Sequence, residues 1–403
     1  MQYRTVPKNG DRLSALGFGA MRLPMRMGRI DEERATRQIH EAIDCGVNYI
    51  DTAVPYHGGE SERFLGRALQ NGYRERVNLA TKLPPWSVKS REDMDRILEV
   101  QLKKLRTDRI DYYLLHSLEA GSWKRLQDLG VLEFLDAAAA SGKIRNAGFS
   151  FHGDIRTFRE IVDAYDWTFC QIQYNFLDET NQAGTEGLRY AAANRVAVMV
   201  MEPLRGGMLA AKLPAEAERL YRQSGLDRSP AEWALRWVWN HPEVTVVLSG
   251  MNDERHIAEN LATCEDALPG SMTADELATV DAVAAVYRRQ MKVGCTGCAY
   301  CMPCPAGVNI PQCFSLYNTH AMASRRADRI MARGMYGMSL MGGMTGEQAD
   351  ASLCRDCGRC AKACPQRIAI PSELRKVGRT LGGLQTKALL PLARVLFSAE
   401  VKE

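Results

Sequence analysis

The sequence predicts a (β/α)8 (TIM) barrel followed by a smaller, mainly helical, cysteine-rich domain. Three observations carry this. Short apolar strand-like segments alternate with segments of helical period over the first part of the chain. Three consecutive strands end in an ionisable residue, Asp51, Lys82 and His116. From Cys295 onward the chain carries nine of its 12 cysteines.

Taken in order, residues 1 to 15 suggest a hairpin, with Asn9-Gly10 as a type I′ turn pair. Leu16-Gly17-Phe18-Gly19-Ala20-Met21 reads as the first barrel strand, and the acids Asp31-Glu32-Glu33 suit the N-terminus of the helix after it. Val47 to Asp51 is the second strand. Its loop presents Tyr56, and a helix signal follows from Ser61 to Leu69. Strands are then expected at Asn78–Lys82, Asp111–His116, Asn146–Ser150, Cys170–Gln173, Val196–Glu202 and Val244–Ser249, with helices such as Met94–Leu105 between them. That makes eight strand–helix units over about 280 residues, close to the usual barrel of about 250. An open doubly wound sheet is the other candidate, but no glycine-rich phosphate turn follows the first strand. Composition shifts after a helix from Ala274 to about Arg289, which sets the expected domains at 1–290 and 291–403.

The 46% hydrophobic and 25% charged content is ordinary for a globular protein. A net charge of +4 argues against a dedicated nucleic-acid binder. Neither a signal peptide nor an apolar run of about 20 residues is read, so the chain is expected in the cytoplasm with no membrane span. In that reducing compartment clustered cysteines read as metal ligands rather than disulfides.

A carboxylate at an apolar strand end needs a partner, because its burial costs several kcal/mol. In a parallel barrel the C-terminal strand tips form one rim, where active sites sit. Asp51, Lys82, His116 and Tyr56 are then expected together. Tyrosine is a weak acid at neutral pH, and a nearby cation stabilises its phenolate. Lys82 supplies that cation, Asp51 holds Lys82, and His116 orients a substrate oxygen. Singly, each has a plainer reading: a helix cap, a solvated lysine, a structural histidine. Their shared placement favours chemistry.

These motifs resemble the aldo-keto reductases. The resemblance rests on Asp51-Thr52-Ala53 with Tyr56, Ser61-Glu62 with Leu65-Gly66, Thr81-Lys82, Leu115-His116, Gly142-Lys143-Ile144-Arg145 with Gly148 and Ser150, Gln171-Ile172-Gln173-Tyr174-Asn175, and Glu259-Asn260. It covers roughly residues 1 to 285. It implies NADPH or NADH laid across the rim, a small carbonyl or alcohol substrate, and Asp51, Tyr56, Lys82 and His116 as the catalytic four. It also implies that Ser150 and Gln173 hold the nicotinamide carboxamide. Pro203, Leu204, Gly206 and Gly207 would line the pyrophosphate, and Ser249, Gly250, Met251, Glu259 and Asn260 would hold the adenosine end. Gly19 and Met21 complete the cofactor-binding set. Gly250-Met251 stands where many members carry Lys-Ser for a 2′-phosphate, although Arg255 and His256 lie nearby.

Cys354, Cys357, Cys360 and Cys364-Pro365 have the C-x2-C-x2-C-x3-C-P spacing of a bacterial ferredoxin site. Cys295, Cys298, Cys301 and Cys304-Pro305 repeat it with a last gap of two. By resemblance to two-cluster ferredoxins, Cys295, Cys298, Cys301 and Cys364 ligate one 4Fe–4S cluster, and Cys304, Cys354, Cys357 and Cys360 the other. Zinc is the plainer alternative. Cys45, Cys170 and Cys264 read as small buried hydrophobes, and Met331, Met335, Met338, Met341 and Met344 as packing around the clusters. Leu389–Phe397 reads as an amphipathic tail helix.

A nicotinamide passes two electrons as hydride, whereas a 4Fe–4S cluster passes one. No flavin signature is visible to join them. The leading expectation is a NAD(P)H-dependent carbonyl/alcohol oxidoreductase with an accessory iron–sulfur domain. The alternatives are an electron-transfer protein working with a ferredoxin-like redox partner, and a non-catalytic nucleotide sensor.

Overall fold

The computed structural model describes residues 1–211, 213–323, 325–342, 347–383 and 386. The chain forms two compact units, one of Met1–Leu204 with Ala231–Leu277, the other of Arg205–Pro230 with Ala278–Glu403.

The first unit is a closed eight-stranded barrel. Its strands are β1 (Leu16–Gly19), β2 (Tyr49–Asp51), β3 (Asn78–Leu83), β4 (Ile110–Leu118), β5 (Ile144–Phe151), β6 (Phe169–Gln173), β7 (Ala197–Met201) and β8 (Val244–Ser249). Every neighbouring pair is parallel, and neighbours in space are neighbours in sequence. Alternate residues face the lumen. Tyr49, Ala80, Tyr112, Leu114, Phe169, Ala197, Met199, Val246 and Leu248 fill its lower layers. Each large apolar side chain there contributes roughly 1.5–3 kcal/mol. On β2, β3, β4 and β6 the next inward positions up are polar: Asp51, Lys82, His116, Gln171 and Gln173, all buried, whereas β7 continues with Met201.

The N-terminal hairpin forms as expected, but not through a two-residue turn. Tyr3–Thr5 pairs with Arg12–Ser14, and Val6 donates across a wider loop to the Asp11 carbonyl. Packing accounts for the extra width. Val6 and Leu13 reach into the lower core, and Tyr112 donates to Asp11 at 2.8 Å. A second short ribbon, Met25–Arg26 with Arg29–Ile30, turns through Met27 and Gly28 at φ 50° and 78°.

The helices Ser61–Ala68 and Arg91–Leu105 cross at Gly66. A β-carbon there would stand 2.2 Å from the Lys104 carbonyl oxygen.

In the second unit the helices Ile310–Met322, Arg326–Ser339 and Ile370–Leu381 enclose a core of Phe314, Tyr336, Leu340, Leu374 and Val377. Residues 205–230 and 278–290, grouped with the barrel in the sequence reading, pack here. Tyr287 donates to the Met208 carbonyl at 3.1 Å, and Arg289 pairs with Glu216 at 2.6 Å. The methionine stripe is split: Met341 is buried in this core, and Met338 is half-buried. Met331 and Met335 are exposed, because the inward face of their helix is Ala332 and Tyr336, one residue round. Cys170 and Cys264 are buried, whereas Cys45 ends the helix Glu32–Asp44 and is exposed. Met344 and the tail Leu389–Phe397 lie outside the described residues. No helix among the described residues is long and apolar enough to cross a membrane.

Alanine is the better helix former by about 1 kcal/mol. At position 66 the overlap with backbone should win, so Gly66→Ala should lower unfolding stability by about 2 kcal/mol net of that gain. Chemical denaturation checks this; an unchanged midpoint would mean the two helices separate freely.

Candidate active site and cluster ligands

The upper rim of the barrel gathers the ionisable strand ends. Lys82 Nζ donates to Asp51 Oδ1 at 2.7 Å, Asp51 Oδ2 at 2.8 Å and the Thr52 carbonyl at 2.8 Å. An ammonium has three N–H groups, and all three are used, so the cation is fixed. It lies 5.1 Å from the centre of the Tyr56 ring. Burial pushes the Asp51 carboxyl up and the Lys82 amine down, and each opposes this in the other through charge and hydrogen bonding. We read the pair as ionised, since each charge compensates the other at contact distance.

Tyr56 is half-buried and opens a short 3₁₀ turn, Tyr56–Gly59. Its neighbour His57 sits at φ 52°, and His57 Nε2 accepts the Leu23 N–H at 3.1 Å, tying this loop to the segment after β1. The His116 ring stands edge-on to Tyr56 with centroids 6.4 Å apart. Burial, helped by the Lys82 charge, holds His116 well below the usual histidine range, so it is neutral. The strand register shifts just beyond His116, and Ser117 has φ 51°. Such irregularities re-aim side chains beside active sites. Trp86 lies 5.2 Å from the His116 ring and is half exposed, whereas Trp123 packs against Trp167 in the interior.

The expected nucleotide residues fall at other strand ends. Ser150 Oγ accepts the Ser117 N–H at 2.7 Å, and Gln173 Nε2 donates to Asp178 at 2.7 Å. Asn260 Nδ2 donates to Ser249 Oγ at 2.8 Å, joining the end of β8 to the helix Glu254–Asp266. Met251 is buried, Glu259 partly so, and Gly250 is open. Gly19 and Met21 are half-buried at the end of β1, and Pro203-Leu204 follow β7. Gly206 and Gly207, at φ 70° and 89°, fall in the second unit. Arg255 is tied to Asp253 at 2.9 Å.

Sequence reasoning assigned no role to Gln171, which hydrogen-bonds the Asp51 carboxylate from β6. The signal was available: Gln171 and Gln173 are two apart, so both face the lumen. Glu202 follows β7 at φ 56° directly before Pro203, a conformation that the residue before proline rarely adopts. Asn175 Nδ2 holds its carbonyl at 3.0 Å.

In the second unit Cys295, Cys298, Cys301 and Cys364 line one cavity with Ile310, Phe314 and Ile370. Burial first, then the neighbouring Cys298, Cys295 and Cys364, pushes the Cys301 thiol up to about 12. Cys360 is likewise raised by burial and by Cys354 and Cys304. Two thiol groups thus form, each drawing on both motifs. A cavity ringed by thiols and apolar side chains suits an iron–sulfur cluster, and the unfavourable proximity of the sulfurs is what bound iron would relieve. Cys313 is apart from both groups, buried against Tyr336 and Asp350.

Comparison with known proteins agrees with this geometry. Residues 294–369 match the 4Fe-4S dicluster domain. The chain is 28% identical over 297 residues to the methylglyoxal reductase YeaE of Escherichia coli, covering 70% of this chain and 95% of that protein. An NADH-specific methylglyoxal reductase of the same organism is 26% identical, covering 62% of this chain and 89% of its own length. An aldo/keto reductase from Klebsiella pneumoniae, solved with NADP and acetate, superposes with a TM-score of 0.57 at 26% identity over 70% of this chain and 95% of that one. With residues 15–285 matching the aldo/keto reductase family over the whole barrel, the chain is an oxidoreductase that belongs to that family.

Proposed function

We propose that the chain reduces a small aldehyde or ketone with a nicotinamide nucleotide, or oxidises the corresponding alcohol, and that Tyr56 delivers the proton. The observation that carries this reading is the Lys82 ammonium, clamped by both oxygens of Asp51 and held 5.1 Å from the Tyr56 ring centre. A fixed, buried cation stabilises negative charge developing on the phenol oxygen. Neutral His116 offers a hydrogen bond to the substrate oxygen without repelling the cation. Bound dihydronicotinamide supplies the hydride to the carbonyl carbon. Tyr56 gives its O–H proton to the carbonyl oxygen, and the alcohol leaves.

Ser150 and Gln173 would hold the carboxamide, Gly19 and Met21 would border the nicotinamide half, and Ser249, Gly250, Met251, Glu259 and Asn260 would meet the adenosine end. The NADP-bound neighbour supports NADPH, and the NADH-specific relative keeps NADH as the other arm of the test. The relatives named as methylglyoxal reductases support a small carbonyl substrate. On this reading the barrel carries the reduction, and the cysteine-rich part from residue 291 carries two 4Fe–4S clusters. Cys295, Cys298, Cys301 and Cys364 would hold one, and Cys304, Cys354, Cys357 and Cys360 the other. These clusters are accessory to hydride transfer and can serve a one-electron partner.

Tyr56→Phe should lower kcat/KM toward a small-carbonyl panel by about a thousand-fold. Fluorescence titration should find NADPH and NADH affinities little changed. Turnover retained in this variant would refute the assignment. Anaerobically purified protein should contain about eight irons and eight sulfides per chain. Cys364→Ser should damage the cluster of the first motif, not that of its own motif. Mössbauer and EPR spectra of the variant decide which cluster is lost.

A further inference from the structure

Behind the rim lies a second buried carboxylate that the proposed mechanism does not use. Glu62 is fully buried at the start of the helix Ser61–Ala68. Its Oε1 accepts from Thr81 Oγ at 2.8 Å and from Gln101 Nε2 at 2.9 Å, and its Oε2 accepts from Lys104 Nζ at 3.3 Å. Gln101 Nε2 also donates to the main-chain carbonyl of Lys82 at 3.0 Å, while Gln101 Oε1 accepts from the Tyr113 hydroxyl at 2.8 Å. Thr81 and Lys82 are adjacent on β3 and point to opposite faces of the barrel wall. The carboxylate therefore grips the outer face of the strand whose inner face carries Lys82. Through Gln101 and Tyr113 it also ties β3 to β4, the strand of His116.

We propose that Glu62 is a positioning residue for the reduction: it fixes the tip of β3 from behind and supports the charge of Lys82 beneath Tyr56 without touching substrate. This rests on the function proposed above. Four groups face Lys82: Asp51 from β2, Tyr56 from the loop after it, His116 from β4, and Glu62 through the wall. Lys104 and Tyr113 face Glu62, and Asp95 stands near Tyr113. Glu62 strengthens proton binding at Lys82, after the larger contribution of Asp51. A strand anchored by an apolar outer face would hold its shape equally well but would lack this charge.

The test is the alkaline limb of kcat against pH, which reports loss of a proton from the coupled Tyr56–Lys82 pair. Glu62→Gln combined with Lys104→Met removes both outer charges and keeps an acceptor oxygen for Thr81 and Gln101. Its limb should move to lower pH with KM for the nucleotide unchanged. Lys104→Met alone leaves the carboxylate uncompensated, and its limb should move to higher pH. Lys104 is partly exposed near a helix end, so this variant decides the matter even if the double variant fails to fold. A wild-type profile in Lys104→Met, or in a folded double variant, overturns the proposal. If Tyr56→Phe is inactive at the same time, only the role of Glu62 falls. Activity retained in Tyr56→Phe overturns the underlying function instead.

Discussion

The ion pair between Lys82 and Asp51 is the constraint on which the rest of the rim depends. Neither charge has water to fall back on. Removing one partner of such a pair typically costs about 3–5 kcal/mol, because the other is left uncompensated. The barrel supplies the geometry by pairing β2 and β3 in one register, with Asp51 opposite Ala80 and the Thr52 N–H on the Ala80 carbonyl at 2.9 Å. A one-residue slip would turn Lys82 outward and leave Asp51 alone. The apolar layers below matter for the same reason. Tyr49, Tyr112 and Phe169 fill the lumen to the level of the pair and exclude the solvent that would weaken it.

The polar side chains above that level divide the work. Gln171 and the Thr52 main-chain carbonyl hold the pair, and His57 fixes the loop that carries Tyr56. The side chains at the other strand ends are mostly engaged within the protein itself. Ser150 accepts from the Ser117 backbone, and Asn260 binds Ser249. A rim of this kind is organised before a ligand arrives, which lowers the entropy lost on binding.

Much of this is legible in the chain. Alternating strand and helix signals point to the barrel, because a parallel sheet demands crossovers of that length. Asp51, Lys82 and His116 stand out because a charge at the end of an apolar strand is anomalous. Gln171 is less visible, since an amide within a strand carries no such alarm. Glu62 is visible in the sequence only as part of the Ser61-Glu62 motif, and its contact with Thr81 and Gln101 shows where the carboxylate goes. The wide N-terminal loop escapes sequence reasoning because Asn9-Gly10 satisfies a local turn rule. The packing of Val6 and Leu13 into the core asks for something longer. The exposed faces of Met331 and Met335 escape it for a similar reason. Spacing gives the period of a stripe, but not which neighbouring stripe faces inward.

The ligand spacing in the cysteine-rich part is the most legible signal, because a C-x2-C-x2-C run brings three thiolates to one side of a cluster. What spacing cannot convey is that residues 205–230 build the same compact unit. Arg205, buried there, reaches Met291 Sδ at 3.1 Å and the Gly294 carbonyl at 3.3 Å, one residue ahead of Cys295. Two sequence families therefore share a single folding body. A shortened chain ending where the reductase homology ends would carry an orphaned excursion, with Arg205 and Met208 still present and their partners Tyr287, Met291 and Gly294 gone. The iron–sulfur part is thus no detachable appendage, and recombining it with another reductase would mean transplanting the excursion as well.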